Sequence, residues 1–272
     1  MDAVITYFSD LEKRPLERAG FFIAGMVLLW AVEYLIPLLH AEYKKNKLRH
    51  AGTNLGFTAI HFLIHTLLAG GIVFIAGWTN THQVGIVQWV NGGALVTILI
   101  TCFTLDFFAG WLCHFVEHKV RLFWRFHLIH HADNNVDVTT GLRHHPLESV
   151  WRGVFFYIGI FVAGAPMFAV LLYQTLLVFI TGFTHANIGL PKWLDRFIGI
   201  LLVSPNMHKV HHHWKQPYTD SNYGAVFSVW DRLMGTYMEL DPKEIKYGLD
   251  QYYPNEKDED FKSLMKRPFQ KL

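Results

Sequence analysis

The stretch "LGFTAIHFLIHTLLAGGIVFIAGW", Leu55 to Trp78, contains no Asp, Glu, Lys or Arg. A helix rises about 1.5 Å per residue, so this run exceeds the ~20 residues that cross a bilayer core. Two neighbouring stretches share its character: Phe21 to Leu39 is apolar except for Glu33, and Val84 to Leu105 is uncharged. Three spanning helices are expected there. Gly153 to Thr184 is uncharged too, but "AGAP" at Ala163 to Pro166 interrupts it, and proline breaks a continuous helix. That segment reads as a short helical hairpin, either two tight spans or a re-entrant pair. The fold class is therefore an all-α integral-membrane bundle.

Composition agrees. The 272 residues are 51% hydrophobic, 15% aromatic and only 17% charged, against roughly 25% charged in soluble domains. The 24 Lys+Arg nearly balance the 22 Asp+Glu. With no basic run interleaved with stacking aromatics, nucleic-acid binding is excluded. The two cysteines, Cys102 and Cys113, would stand roughly 16 Å apart on one helix and read as packing residues. The charged residues Glu12 to Arg18 precede the first apolar run without a small-residue cleavage signature, so that run is expected to stay in the mature chain.

The connections set an orientation. "HAEYKKNKLRH" between the first two runs holds Lys44, Lys45, Lys47 and Arg49, whereas "TNTHQ" after the second holds no Lys or Arg. The positive-inside rule puts the first connection in the cytoplasm, and with it everything from Asp106 to Arg152 and, if the hairpin returns, His185 to Leu272. Strict alternation then places the N-terminus outside despite Lys13, Arg14 and Arg18. Either the first helix stops short of spanning or the rule is outvoted there. The organisation is one membrane domain over 1–272. It comprises transmembrane helices in 1–105, a histidine-rich cytoplasmic cap within 106–240 that includes the hairpin 153–184, and a charged soluble tail at 241–272.

Chemistry is concentrated in histidine. Of 17 histidines, 12 fall between His114 and His213. "HFVEH" gives His114 and His118 at i, i+4. "HLIHH" gives His127, His130 and His131 at i, i+3, i+4, and "HKVHH" gives His208, His211 and His212 at the same spacing. These offsets project side chains from one helical face. A single HxxxH arises by chance, but three clusters in one chain imply a metal site. Eight to ten imidazoles exceed the needs of one zinc, so two metals are implied. Ligand type alone does not separate iron, zinc, copper and nickel. His213 lies off the shared face. His144 and His145 in "LRHHPLE" and His185 in "THANIGLP" are further candidates.

The arrangement resembles the fatty acid hydroxylase and sterol desaturase superfamily of integral-membrane non-haem di-iron enzymes. Its HxxxH, HxxHH and HxxHH boxes match His114–His118, His127–His131 and His208–His212, and "FWRFHLIHHAD", "TTGLRHHPLE", "THANIGLP" and "TDSNYGAVFSVWDRLMGTY" look like family segments. Phe115 departs from the pattern, since the family often has Arg there. The resemblance implies two iron ions, O2 as cosubstrate, and hydroxylation or desaturation of a lipid C–H bond. Sterols, fatty acyl chains, sphingolipids and alkylglycerols are the candidate substrates. It assigns His114, His118, His127, His130, His131, His208, His211 and His212 as ligands, followed by His145 and His185. His144 ranks lower because the family histidine immediately precedes the proline.

Asp133, Glu148 and Asp195 are candidates to orient imidazole N–H groups, or else surface carboxylates or helix caps. Asp106, Asn187 and Asn222 are candidates to hydrogen-bond ligands, or else turn formers. His61 and His65, at i, i+4 inside an uncharged run, would line a lipid tunnel or make an interhelical hydrogen bond. No "HPGG" haem motif occurs, so electrons are expected from a separate reductase with a cytochrome b5-like or ferredoxin-like carrier. The competing class is a histidine-rich metal-binding or transport protein. A transporter would hold ligands near the bilayer midplane, whereas these clusters lie beyond the apolar runs.

Overall fold

In a computed structural model, residues 2–11, 13–39, 47–249 and 260–270 are described. They are all-α, with two isolated β-bridges. The helices in order are α1 (Asp2–Leu11), α2 (Pro15–Leu35), α3 (Lys47–His82), α4 (Ile86–Val90), α5 (Gly93–Leu105), α6 (Cys113–Lys119), α7 (Arg121–His131), α8 (Glu148–Ala163), α9 (Met167–His185), α10 (Lys192–Ile198), α11 (Pro205–His211), α12 (Val229–Leu233) and α13 (Phe261–Lys266). A π-helical turn, Asp106–Leu112, joins α5 to α6 in one rod. Four stretches are long and apolar enough to cross a membrane: Leu16–Leu35, Lys47–Val90, Gly93–Lys119 and Met167–His185. The chain is a multi-pass membrane protein. Large apolar side chains such as Phe62, Leu67 and Phe74 stand exposed on α3, as suits a face turned to lipid.

Two boundaries differ from those read in the sequence. The third span is Gly93–Lys119 rather than Val84 to Leu105. Asn91 (φ +47°) and Gly93 (φ +75°) adopt left-handed backbone, which ends α4 and restarts the helix. The first box thereby becomes the last turns of a spanning rod. α2 ends at Leu35, four residues early. Pro37 instead forms an isolated bridge with Ile188, the strand-like pairing a helix cannot supply. The basic connection at 40–46 and the tail at 250–259 lie outside the described residues.

The "AGAP" break is sharp. Gly164, at φ +64°, closes α8 in the left-handed form, and Pro166 opens α9. The α9 arm is itself of spanning length. At this turn the hairpin meets the α3–α4 connection: Gln88 Nε2 donates to the Gly164 carbonyl at 2.9 Å and Asn80 Nδ2 to the Ala165 carbonyl at 3.3 Å. The opposite ends of α3, α6, α8 and α9 converge on the histidines. Leu105, Ile160, Val170 and Tyr173 pack between the rods. A second cluster, Phe57, Leu128, Ile129 and Leu264, holds α13 against α3 and α7. Glu33, buried near the end of α2, accepts the N–H groups of Val138 and Asn187 and the Lys47 ammonium, which fastens α2 to the cap.

Candidate metal centre

Nine imidazoles converge in two sets. His114, His118, His127, His131 and His211 form one, and His130, His185, His208 and His212 the other. Within each set the nearest ring nitrogens lie within 4.8 Å of one another. The parts come from α6, α7, the end of α9, and α11 with the residue after it. On α7, His127 and His131 serve one set while His130 serves the other, so an HxxHH box addresses two sites at once. Eight of the nine rings are donated by these two HxxHH boxes and the HxxxH box, and the ninth, His185, closes α9.

Hydrogen bonds fix the tautomers. His114 Nδ1 donates to the Tyr223 carbonyl at 2.9 Å, His211 Nδ1 to the Ser221 carbonyl at 2.6 Å, and His185 Nδ1 to the Thr181 carbonyl at 2.7 Å. A carbonyl only accepts, so the proton sits on Nδ1 and Nε2 is a bare lone pair. Those lone pairs face other ring nitrogens. His114 Nε2 is 3.1 Å from His127 Nε2, and His185 Nε2 is 3.1 Å from His130 Nε2 and 3.0 Å from His208 Nε2. His211 Nε2 is buried without a partner. Ligands at about 2.1 Å from a shared metal stand roughly 3 Å or a little more apart, so the donor set fits a metal ion.

Electrostatics favour the ligand form. Burial pushes His127 down to about 3, and burial with mutual repulsion holds His130, His131, His208, His211 and His212 well below the usual imidazole range. Neutral imidazole is what a metal binds. Two carboxylates steady the first set: Glu148 takes His127 Nδ1 at 3.0 Å and Asp220 takes His118 Nδ1 at 3.2 Å.

A sequence profile of the Fatty acid hydroxylase family matches residues 98–236, just over half of the chain and all three boxes. The chain belongs to that family. Alkylglycerol monooxygenase of Xenopus tropicalis is 30% identical over 55% of this chain and 32% of its own length. Ornithine lipid hydroxylase OlsE of Rhizobium tropici is 26% identical over 64% of this chain and 56% of its own. Very-long-chain aldehyde decarbonylase GL1-7 of Oryza sativa subsp. japonica is 24% identical over 81% and 36%. The chain thus spans between a third and somewhat over half of these relatives. No solved structure matches it.

Of the ten histidines assigned as ligands, the structure of this fatty acid hydroxylase family member brings together nine. His145 is the exception. Its Nε2 faces the Met265 carbonyl at 3.3 Å, its Nδ1 accepts the Leu147 N–H, and its ring packs on Phe126 and Phe269. His144 turns inward instead, stacking on His130 with centroids 4.3 Å apart and donating from Nδ1 to Glu148 at 2.9 Å. His213 stands apart, accepting the Lys246 N–H.

Among the six polar candidates only Glu148 reaches a clustered imidazole. Asp106 accepts from the Val226 and Phe227 N–H groups, Tyr173 and Trp230, locking the π turn to the loop beneath it. Asp133 pairs with His50 at 2.9 Å, Asp195 accepts the Asn206 N–H, Asn187 clasps Leu39, and Asn222 spans Met207 and Met238. These hold the backbone that carries the boxes. His61 Nε2 donates to the His144 carbonyl at 2.9 Å and its Nδ1 accepts the Ser149 hydroxyl at 2.7 Å, while His65 stacks beside it. The pair braces the inward-turned His144.

Sequence reading missed Asp220, Lys209 and Tyr223. Lys209, fully buried and pushed down to about 7 by that burial, donates to the Ala186 carbonyl at 2.6 Å, which fixes α11 against the end of α9. The Tyr223 ring lies against His114, His118 and His211, and its hydroxyl is buried without a protein partner. The polarity of Lys209 inside the HKVHH box was a usable signal. Nothing in the sequence ties Asp220 to His118 across 102 positions.

Proposed function

We propose that the chain is a membrane-bound non-haem di-iron oxygenase that hydroxylates a lipid C–H bond with O2 and electrons from a separate carrier. The observation that carries this is the convergence of Nε2 atoms at 3.0–3.1 Å around His114, His127, His130, His185 and His208, with Nδ1 of His114, His127 and His185 already committed to oxygen acceptors. One iron would be held by His114, His118, His127, His131 and His211, the other by His130, His185, His208 and His212. Bound iron supplies the one-electron and O2 chemistry that side chains lack.

The chain's own contribution is positional. Tyr223, Ser221 and Thr181 carbonyls and the Glu148 and Asp220 carboxylates aim the imidazoles, as outer hydrogen-bond partners do in metal sites generally. His118, His127, His131, His211 and His212 have essentially no solvent access in their side chains, so bulk water is kept from the reacting carbon. The site lies where four apolar rods end, within reach of a lipid tail, and the basic residues Lys44, Lys45, Lys47 and Arg49 favour the cytoplasmic side.

The relatives' names favour hydroxylation over desaturation, and an alkylglycerol and an ornithine lipid are the first substrates to assay. The test is metal content together with O2-dependent conversion of these two lipids by purified protein given a chemical reductant. Two irons per chain and loss of turnover on chelation are expected. Unchanged turnover in metal-free protein would overturn the reading.

A further inference from the structure

Two segments of the cap meet a spanning rod well short of its histidine end. Phe227 stacks on Phe103 with ring centres 4.3 Å apart, and the Trp230 ring lies 5.0 Å from that of Phe107. Leu202 pairs with Phe227 across an isolated bridge, and Val226 and Phe227 join Leu105, Phe156 and Ile160 in the core between the rods. Phe103 and Asp106 belong to the spanning stretch that begins at Gly93. At 1.5 Å per residue they stand about 15 and 20 Å along it, inside a hydrocarbon core of about 30 Å. His114 lies roughly 10 Å further on. Residues 199–203 and 226–230 therefore descend past the metal centre to a level at which the rods are in lipid.

Backbone at that level has no water to satisfy it and needs partners within the protein. They are present. Val203 N–H donates to the Val226 carbonyl at 2.9 Å, Ser228 N–H to the Leu201 carbonyl at 3.0 Å and Leu202 N–H to the Ile198 carbonyl at 3.0 Å. The Gly199 carbonyl accepts the Ser228 hydroxyl and Arg232 Nη2, both at 2.8 Å. The N–H groups of Val226 and Phe227 go to the Asp106 carboxylate at 2.9 and 3.0 Å. A fully buried carboxylate inside a spanning stretch is costly, and here it replaces the strand that would otherwise have taken these donors.

The outer face of the same region is apolar. Trp193, Phe197, Ile200 and Leu201 recur at i, i+4, i+7 and i+8 along α10 and the turn after it, and Leu233 and Met234 follow on α12 and just beyond; all six are exposed. They belong to none of the stretches long enough to cross a membrane. Lys192, Asp195 and Arg196 lie off the stripe on α10, as in a helix seated at a membrane interface.

We propose that α10, the 199–203 turn and α12 form a re-entrant hairpin inserted into the leaflet on the histidine side, with acyl chains as the occupant of the Trp193–Phe197–Ile200 and Leu233–Met234 faces. Continuity with the lipid-facing rod at Phe103 argues for acyl chains rather than a second copy of this chain. The expectation that everything after His185 lies outside the bilayer is thereby revised for these segments. The chain passes from Val203 through Ser204 directly into α11, so the second HxxHH box is mounted on an element rooted in lipid. This placement is independent of the chemistry at the histidines.

The test places a bimane label on single cysteines, Phe197→Cys, Ile200→Cys and Leu233→Cys, in the full chain reconstituted in phosphatidylcholine vesicles. The native Cys102 and Cys113 are buried and shielded from the label. Phe74→Cys on a lipid-facing rod and Lys215→Cys on the cap, both exposed positions, serve as references. Quenching is read with acyl chains brominated at mid-chain and, separately, with aqueous iodide. At all three test positions the bromolipid-to-iodide quenching ratio is expected to match that at Phe74 and to exceed that at Lys215 several-fold. The labels replace exposed side chains, so the fold is kept. A ratio like that of Lys215 overturns the proposal by placing the hairpin in water. Protection from both quenchers overturns it too, assigning the face to contact with another copy.

Discussion

The Nε2 atoms of His114 and His127 stand 3.1 Å apart while both Nδ1 atoms are committed elsewhere, to the Tyr223 carbonyl and the Glu148 carboxylate. Two lone pairs at that separation repel unless a cation lies between them. His114→Ala or His127→Ala is therefore expected to take bound metal to background while the helical bundle persists. His213→Ala, at a ring outside both sets, should keep its metal. Metal analysis normalised to folded protein decides it, and equal losses in all three variants would point to a general folding defect instead.

Glu148 and Asp106 are both buried carboxylates with different duties. Glu148→Gln weakens the support of His127 and His144 and is expected to lower metal affinity about 10- to 100-fold. Asp106→Asn leaves every imidazole contact intact and disturbs the four donors that lock the π turn. Its cost should appear as a lower melting temperature, with normal metal per folded chain. Competition with a calibrated chelator, alongside melting curves, separates the two.

The neighbours His144 and His145 are expected to behave oppositely to their order of rank in the sequence. His144→Ala removes the ring stacked on His130 and a donor to Glu148, so both metal affinity and lipid turnover should drop. His145→Ala loses a contact with the C-terminal segment and should retain metal. If His145→Ala alone empties the site, the inward placement of His144 is not the working one.

Stability of metal-free protein should depend on pH with a definite sign. Burial lowers His127 from 6.5 to about 3 in the fold, and five other cap histidines are depressed as well. In the unfolded chain these rings gain protons as pH falls through about 6.5, so the unfolded state binds more protons and the fold loses stability on acidification. Their contribution is present above about pH 6.5 and lost progressively toward about pH 3. The melting temperature of chelated protein should fall steadily below pH 6.5, and a flat profile would contradict a neutral buried cluster.

What the sequence made legible follows from periodicity. Uncharged length located the helices, and the i, i+3, i+4 spacing located rings such as His127, His130 and His131, because both signals are local. Asn91 and Gly93 escaped because hydropathy does not register a left-handed residue inside an apolar run. The inward turn of His144 and the outward turn of His145 are not legible because both lie between a 3-10 turn and α8. No helical phase assigns their directions there, and a distant contact, His61 on the His144 carbonyl, does so. Asp106, Asp133, Asp195, Asn187 and Asn222 read in the sequence as partners of the imidazoles or as caps and turn formers; their actual partners are set by tertiary folding, which local pattern does not carry.

At the far side of the bundle Gly85 and Gly164 meet backbone to backbone, each in positive-φ conformation, and a Cβ on either would collide with the other turn. α8 and α9, 16 and 19 residues long, are rods of about 24 and 28 Å. A methyl wedge at this contact would therefore be delivered as an axial slide at their other ends, where Glu148 and His185 stand. The axial position of those two side chains is thus set in part at the far turn, by two residues with no side chain at all.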